Sequence, residues 1–141
     1  MNQYMKVVNE LAKKAANHDE VPIACVIVLN DEIIGQAYNL REKEQKIIAH
    51  AEILALLQAS EKIGSWKLNE CEMYISTEPC IMCYGAILQS RIKKIYVGSK
   101  QDNRKKSVYN KYVDLDEIID YRYVNEEASD IIKAFFKKKR K

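Results

Sequence analysis

Residues 50–52 read His-Ala-Glu, and residues 79–83 read Pro-Cys-Ile-Met-Cys. These two segments supply one imidazole and two thiols, which are ligands that zinc prefers, together with one carboxylate that the ligand set does not need. Zinc is usually four-coordinate, and a catalytic zinc site uses three protein ligands so that its fourth position stays open. The two segments therefore predict a catalytic zinc site that includes its own proton-transfer group.

The spacing places this site at the beginnings of two helices. Cys80 and Cys83 are three residues apart, so their thiols share one helix face, and a helix N-terminus favours the thiolate form that zinc requires. His50 and Glu52 are only two residues apart, so we place His50 where a helix starts and the backbone is not yet helical. We predict zinc ligation by His50, Cys80 and Cys83. Glu52 is predicted to act as both base and acid.

Two other interpretations of the cysteines are open. A Cys-x-x-C pair can be a redox dithiol, and a closed structural zinc site could take its fourth ligand from His18, Cys25 or Cys71. Structural zinc sites more often combine two closely spaced ligand pairs, and this sequence has a single Cys-x-x-C. A carboxylate beside the histidine has no role in a closed site, which favours the catalytic interpretation. Cys25 and Cys71 are expected to be reduced and to take no part in the site.

Length and composition predict one globular domain over residues 1–141, because 48% of the residues are hydrophobic and the chain is long enough to bury a core without disulfides. The longest uninterrupted apolar run covers residues 23–29, which suits a buried strand and is far too short to cross a bilayer. The N-terminal residues lack the apolar core of a signal peptide. We therefore expect a cytoplasmic protein without a membrane span.

The charges are segregated along the chain, although the net charge is only +3. Residues 91–111 hold eight basic residues and one acidic residue, which is a net charge of +7, and residues 137–141 are all basic. Positive segments of this kind favour contact with a polyanion, because lysine and arginine replace the counterions along its phosphates. A solvated loop and a solubilising tail would have the same composition, so charge alone leaves both interpretations open.

Hydrophobic spacing predicts strands and helices that alternate along the chain. The predicted helices cover residues 5–16, 49–62 and 80–90, followed by a terminal helix that begins after Asn125. The predicted strands cover residues 23–29, 33–39, 73–76 and 95–98, with a hairpin turn at Asn30-Asp31. This alternation predicts an α/β fold, a three-layer α/β/α sandwich around a mixed central sheet.

Three smaller predictions concern single segments. Residues 40–46 are polar and charged and are predicted to form a loop. In the second helix, Ile53, Leu54, Leu56 and Leu57 are predicted to face the core. Residues 108–124 are ambiguous, with a short strand and a helix near residues 116–120 as our interpretation.

Further motifs accompany the two metal-binding segments. They are EVPI at residues 20–23, Asn39, AHAEI at residues 49–53, EPCIMC at residues 78–83, GAI at residues 85–87, SRI at residues 90–92, and Phe135-Phe136 before two lysines. In this combination the chain resembles, nearly end to end, the bacterial tRNA-specific adenosine deaminases, which convert the wobble adenosine of a tRNA anticodon to inosine. The resemblance implies a cytidine deaminase-like fold, a zinc cofactor, a tRNA anticodon stem-loop as substrate, and a homodimer.

The resemblance also implies roles for residues around the metal. Asn39 would hydrogen-bond the bound nucleoside. Val21 and Pro22 would form part of the pocket wall, and the backbone around Ala51 would face the base. In the family, the target base is pushed out of a splayed anticodon loop and into the pocket.

Contact with the anticodon loop is implied at the terminal helix, through Phe135, Phe136 and the basic residues Lys137 and Lys138. Periodicity alone predicts that at least one of the two phenylalanines lies in the core.

One loop departs from the family pattern. The glycine-rich loop that follows the fourth strand in the family is replaced by residues 99–107, which contain no glycine. We expect Arg104, Lys105 and Lys106 to contact RNA there, with charge in place of the family's loop shape.

Two other functions are compatible with the metal motif. Guanine deaminases share the Glu-Pro-Cys-x-Met-Cys element and the fold, so a small-molecule deaminase acting on guanine or cytosine derivatives is the main alternative. A neutral base does not require the basic segments, which favours RNA. The second alternative is a noncatalytic RNA-binding subunit that keeps zinc for folding, and the intact Glu52 argues against it.

Overall fold

Helices cover both faces of a five-stranded sheet in the computed structural model, which describes residues 2–99, 120–123 and 127–139. The elements in chain order are α1 (Gln3–Asn17), β1 (Ala24–Leu29), β2 (Glu32–Tyr38), α2 (Arg41–Glu44), α3 (Ala51–Ile63), β3 (Glu72–Thr77), α4 (Ile81–Ser90), β4 (Lys94–Ser99), β5 (Asp120–Tyr123) and α5 (Glu127–Lys139). None of the helices in the described residues is long and apolar enough to span a membrane.

The strands are arranged in the order β2-β1-β3-β4-β5. β1 is antiparallel to both β2 and β3, whereas β3, β4 and β5 are parallel to one another. The sheet is therefore mixed, as predicted. The hairpin between β1 and β2 turns at Asn30 and Asp31, whose φ angles are 50° and 63°. Positive φ at two successive turn residues matches the right-handed twist of the flanking strands, and Asn and Asp tolerate it better than most residues.

β1 is buried on both faces, which explains its continuous apolar sequence. Cys25 and Ile27 belong to a core cluster shared with α3 and α4. Val26 and Val28 belong to a second cluster, beneath α1, which α5 joins through Ile131. The predicted three-layer α/β/α sandwich is confirmed, with α1 and α5 on one face of the sheet and α3 and α4 on the other.

The face that α3 buries agrees with the prediction only in part. Leu56 belongs to a core cluster and Leu54 packs against it, as predicted, whereas Leu57 is 54% exposed and Ile53 is only partly buried. The fully buried apolar positions are alanines, at residues 51, 55 and 59. Small side chains are needed because α3 lies very close to β2. A Cβ atom on Gly35 would come within 2.5 Å of the Ala55 carbonyl oxygen. Apolar spacing predicts which positions form a stripe, but it cannot show which part of the stripe touches the sheet.

Other segments also depart from the predictions or limit them. Residues 41–44, predicted as part of a loop, form the single turn of α2. Residues 108–124, whose sequence is ambiguous, contain β5 at Asp120–Tyr123, whereas the predicted helix near residues 116–120 would have ended at residue 120. The rest of that predicted helix, at residues 116–119, and the predicted N-cap Asn125 lie outside the described residues.

Candidate active site

The beginnings of α3 and α4 meet at the end of β3. His50 is the N-cap of α3 and Cys80 is the N-cap of α4, both in extended conformation, with φ and ψ of −80° and 151° for His50 and −70° and 172° for Cys80. Neither side chain caps its own helix, so both are free to point across the gap between the helices. Cys83 lies in the first turn of α4 and is buried. The helix starts therefore bring together the three residues predicted as metal ligands.

The spacing of these ligand atoms fits a tetrahedral metal ion. The His50 Nδ1 atom lies 3.7 Å from the Cys80 Sγ atom and 3.5 Å from the Cys83 Sγ atom, and all three ligand atoms lie within 4.8 Å of one another. Zinc bonds of about 2.3 Å to sulfur and about 2.0 Å to nitrogen, at tetrahedral angles, would separate nitrogen from sulfur by roughly 3.6 Å. The cluster can hold a metal ion with little rearrangement.

Glu52 lies at the second position of α3 and is only 4% exposed. Burial raises the pKa of its carboxyl group above the usual value, and hydrogen bonds from its own backbone N–H and from the Cys83 thiol act in the opposite direction. Glu52 therefore lies beside the cluster without belonging to it. A carboxyl group with a raised pKa suits the transfer of protons in both directions.

The two thiols differ sharply in acidity without a metal. Hydrogen bonds from the Cys83 thiol and backbone N–H lower the pKa of Cys80 to about 5, despite its partial burial. The pKa of Cys83 is raised, because its thiol donates to Cys80 and is itself buried. The pair thus shares one proton, with the thiolate on Cys80.

His50 and Cys80 of the cluster, together with Glu52, line a cavity of about 580 Å³. This volume lies within the range of about 300–1,000 Å³ that is typical of small-molecule sites. The cavity is lined by Asp19, Val21, Ile23, Asn39, Arg41, Glu42, His50, Ala51, Glu52, Glu78, Cys80, Phe135, Phe136 and Lys139.

Three of the four predicted substrate-binding residues line this cavity, namely Val21, Asn39 and Ala51. Pro22 is buried next to Val21 and does not line it. The side-chain oxygen of Asn39 accepts a hydrogen bond from the Arg41 backbone N–H at 3.2 Å, which leaves the amide NH₂ as the end that can donate to a ligand.

The terminal helix contributes aromatic rings to the cavity. The Phe135 and Phe136 rings pack edge to face, 5.3 Å apart, and both line it. Phe136 is 42% exposed, and neither ring belongs to a core cluster of the described residues. The prediction that one of them lies in the core is therefore wrong, because both rings line the cavity instead. Lys137 and Lys138 are exposed on α5, outside the cavity lining. Arg104, Lys105 and Lys106 lie outside the described residues.

The remaining polar lining residues were not predicted to have a role. Glu78 stands two residues before the predicted ligand Cys80, and Arg41 and Glu42 follow Asn39, so proximity to the motifs was the only signal in the sequence. Asp19 and Lys139 are brought together by the fold alone, where the Lys139 Nζ atom lies 3.0 Å from an Asp19 carboxylate oxygen.

Comparisons with known proteins agree on one family. A family model described as MafB19-like deaminase matches residues 1–140. The tRNA-specific adenosine deaminase of Aquifex aeolicus is 38% identical over 143 residues, which span 97% of this chain and 94% of that protein. The enzyme of the same name from Bacillus subtilis is 48% identical over 96 residues, which span 68% of this chain and only 60% of that protein.

Solved structures give the same fold. A structure from a study of A-to-I editing by tRNA:A34 deaminases at the wobble position has 35% sequence identity and a TM-score of 0.67, over 69% of this chain and 75% of that one. A guanine deaminase from Bacillus subtilis has 27% identity and a TM-score of 0.69, over 97% of this chain and 95% of that one. The fold is therefore shared with enzymes named for different bases.

Proposed function

This chain belongs to the MafB19-like deaminase family, together with the bacterial tRNA-specific adenosine deaminases, and we propose that it converts the wobble adenosine of a tRNA anticodon to inosine by hydrolysis. The observation that carries this proposal is the meeting of two features in one cavity. His50 and Cys80 of the His-Cys-Cys cluster line it together with the buried Glu52, and Phe135, Phe136 and Lys139 line it from α5. The chain would act as one deaminase domain, and a tRNA substrate would place it in the cytoplasm.

Zinc is the cofactor that the cluster suits. Two thiolates and an imidazole, with no redox step to perform, form a typical zinc ligand set. His50, Cys80 and Cys83 would hold the ion, which leaves one position open. A zinc ion there would supply the Lewis acidity that makes a water molecule nucleophilic at neutral pH.

Glu52 performs the proton transfers in the proposed reaction. Its carboxylate accepts a proton from the attacking water and passes it to the ring nitrogen beside the attacked carbon. It then takes the remaining proton from the hydroxyl group now bound to the attacked carbon and delivers it to the amino group. The carbon–nitrogen bond breaks, the carbonyl group forms, and ammonia leaves. Burial keeps bulk water away from this carboxyl group, so the proton stays between Glu52 and the substrate.

The cavity wall orients the base. The Asn39 amide group can donate a hydrogen bond to the nucleoside, and Val21 and the backbone at Ala51 pack beside it. Phe135 and Phe136 line the cavity with aromatic rings, and unstacked bases of an anticodon loop would stack on such rings. A free base would need the contacts of Asn39, Val21 and Ala51. It would not need the stacking surface of the two phenylalanines.

The test is inosine formation at the wobble position of an adenosine-containing anticodon stem-loop, with zinc-loaded protein and the Glu52→Ala variant as control. Free guanine, cytidine and adenosine are assayed in parallel. Inosine formed by the unmutated protein alone supports the reaction, the substrate class and the role of Glu52 together.

A small-molecule deaminase is the second candidate, because the guanine deaminase similarity covers nearly the whole of both chains. Ammonia release from a free base, with the stem-loop unchanged, would establish that alternative and reject RNA as the substrate.

The protein is also proposed to form a homodimer through the outer surface of α3 and α4. An apolar groove of about 490 Å³ lies there, lined by Ile53, Leu56, Leu57, Ser60, Trp66, Ala86, Gln89 and Ser90. Leu57 and Trp66 are 54% and 56% exposed, which is unusual for large apolar side chains that lie together. A second copy of the same surface would bury them.

A further inference from the structure

Glu20 has a fully buried carboxylate that takes no part in the proposed chemistry. Its side chain is 0% exposed, and it does not line the cavity. One carboxylate oxygen accepts a hydrogen bond from the Glu42 backbone N–H at 3.0 Å, and the other accepts one from the Lys43 backbone N–H at 2.7 Å. A buried carboxylate is costly unless hydrogen bonds compensate its charge, and bonds of this charge-assisted kind are the strong ones.

The segment that donates these hydrogen bonds, α2, is too short to be stable alone. α2 is a single turn of four residues, all of them exposed. A turn this short is unstable in isolation, and its first N–H groups have no partner within the helix. Leu40, which stands at the N-cap position, makes no side-chain capping bond. Glu20 acts as the missing cap from 22 residues away along the chain.

Glu20 is itself held in place by the end of α1. Its backbone N–H donates to the Ala15 carbonyl oxygen at 2.9 Å, directly after the left-handed residue Asp19, whose φ is 60°. The carboxylate therefore joins two parts of the molecule, the end of α1 and the turn of α2.

The turn that Glu20 holds adjoins one wall of the cavity. Arg41 and Glu42 line the cavity from α2, and Asn39 lines it just before the turn and accepts from the Arg41 N–H. Residues 39–42 are also connected to the segment that carries His50. The Leu40 N–H donates to the carbonyl oxygen of Ala49, the residue before His50.

We propose that Glu20 is a positioning residue, which sets the place of the cavity wall formed by residues 39–42 relative to the metal cluster. The proposal deepens the function given above, since the wall carries the group that would bond the nucleoside. Its structural part, the bond from Glu20 to the turn, does not depend on that function.

Amide hydrogen exchange tests the structural part without any activity. In the unmutated protein, the Glu42 and Lys43 amides are expected to be protected although their residues are exposed. In Glu20→Gln, one acceptor oxygen becomes an NH₂ group that faces an N–H, so protection at these two amides should fall at least about 10-fold while the amides of α3 keep theirs. The control Glu44→Gln changes a carboxylate on the same turn that, among the described residues, forms an ion pair with Lys46 alone, at the surface. Unprotected Glu42 and Lys43 amides in the unmutated protein would overturn the proposal, even if Glu20→Gln fails to fold.

Kinetics on the anticodon stem-loop test the positioning part. We expect kcat/KM of Glu20→Gln, measured well below its Tm, to fall by roughly 10- to 100-fold with zinc content unchanged, because a small displacement of a substrate-orienting wall is sufficient for such losses. Glu44→Gln should match the unmutated enzyme. A normal kcat/KM in a Glu20→Gln protein that has lost amide protection would reject positioning. If the unmutated protein edits no RNA at all, the proposed function fails, and the exchange result alone decides whether Glu20 holds the wall.

Discussion

Glu52 is separated from the metal cluster by its position in α3. His50 stands before the first turn and points its imidazole towards the thiols, whereas Glu52 lies inside the turn and is buried next to them. The two side chains therefore occupy different environments although they are two positions apart. This difference allows proton transfer to be tested separately from metal binding.

Glu52→Ala should keep zinc and lose turnover. We expect kcat to fall between about 10²- and 10⁴-fold, the usual contribution of a general acid/base, because the three ligands remain while the proton carrier is gone. Zinc content by mass spectrometry should stay at one ion per chain. A Glu52→Ala protein that edits at the normal rate would rule out the proposed mechanism, and one that lacks zinc would show that Glu52 supports the metal site.

The two thiols of the metal-free protein should react at different rates. Cys80 has a pKa of about 5 and is partly exposed, whereas Cys83 is buried and its pKa is raised. Because a lowered pKa leaves the thiolate populated above pH 5, alkylation of Cys80 by iodoacetamide should rise as pH increases through about 5 and change little up to about pH 7. Peptide mass spectrometry measures both sites, and zinc should protect both. Equal rates at Cys80 and Cys83 would contradict this assignment.

At the scale of elements, the contact between α3 and β2 brings His50 close to the thiols. Gly35 in β2 leaves room for the backbone of α3, and the alanines of α3 face the sheet. A Cβ atom on Gly35 would meet backbone atoms of Ala55 and Ala59, so a larger side chain there would push α3 away from the sheet. Because His50 stands at the start of the same helix, this packing bears on the site as well as on stability.

Gly35→Ala should destabilise the protein, since the new Cβ atom would lie 2.5 Å from the Ala55 carbonyl oxygen. We expect a loss of about 1–3 kcal/mol in the free energy of unfolding, measured with urea. Gly85→Ala is the matched control, because nothing lies within 4 Å of a Cβ atom there and alanine favours the helix. It should be neutral or stabilising by up to about 1 kcal/mol. Equal effects at the two positions would contradict the close contact.

α5 is the element that reaches the cavity from the other side of the sheet. Near its start, Glu127 accepts a hydrogen bond from the Asn9 side chain at 3.3 Å and pairs with Lys13 at 3.4 Å. At its end, Lys139 pairs with Asp19. Both ends are therefore attached to α1 or to the turn that follows it, and the phenylalanines lie near the second attachment.

Phe136→Ala should weaken binding of the anticodon stem-loop without unfolding the protein. The ring is 42% exposed, so its loss removes little core, whereas stacking on a base contributes about 1–3 kcal/mol, or roughly 5- to 150-fold in Kd. Fluorescence anisotropy with labelled stem-loop measures the affinity. Phe136→Tyr keeps the ring and should bind like the unmutated protein. If the alanine variant binds normally at an unchanged Tm, the ring does not contact RNA.

At the scale of the whole molecule, features encoded within a few neighbouring residues could be predicted from the sequence. Features that depend on tertiary contacts could not. The apolar run of β1 and the Cys-x-x-C spacing are both local patterns of a few residues, so the sheet and the clustering of His50, Cys80 and Cys83 could be predicted. α2 could not, because its turn depends on Glu20, which is distant in the sequence. Lys139 joins the cavity only after α5 has packed across α1. Apolar spacing also assigned Leu57 to the core, since periodicity does not distinguish a core from an exposed apolar surface.

The exposure of Leu57 leads to a prediction about assembly. If α3 and α4 pair with the same surface of a second copy, Leu57→Glu places a charge in that interface and should produce monomers, because a buried and unpaired carboxylate costs several kcal/mol. Sedimentation equilibrium should then give the mass of one chain, 16.4 kDa, in place of twice that mass. The control Gln3→Glu adds the same charge to an exposed position of α1, across the sheet, and should stay dimeric. A Leu57→Glu protein that remains dimeric would move the interface away from this groove, and an unmutated protein that is monomeric would reject the homodimer.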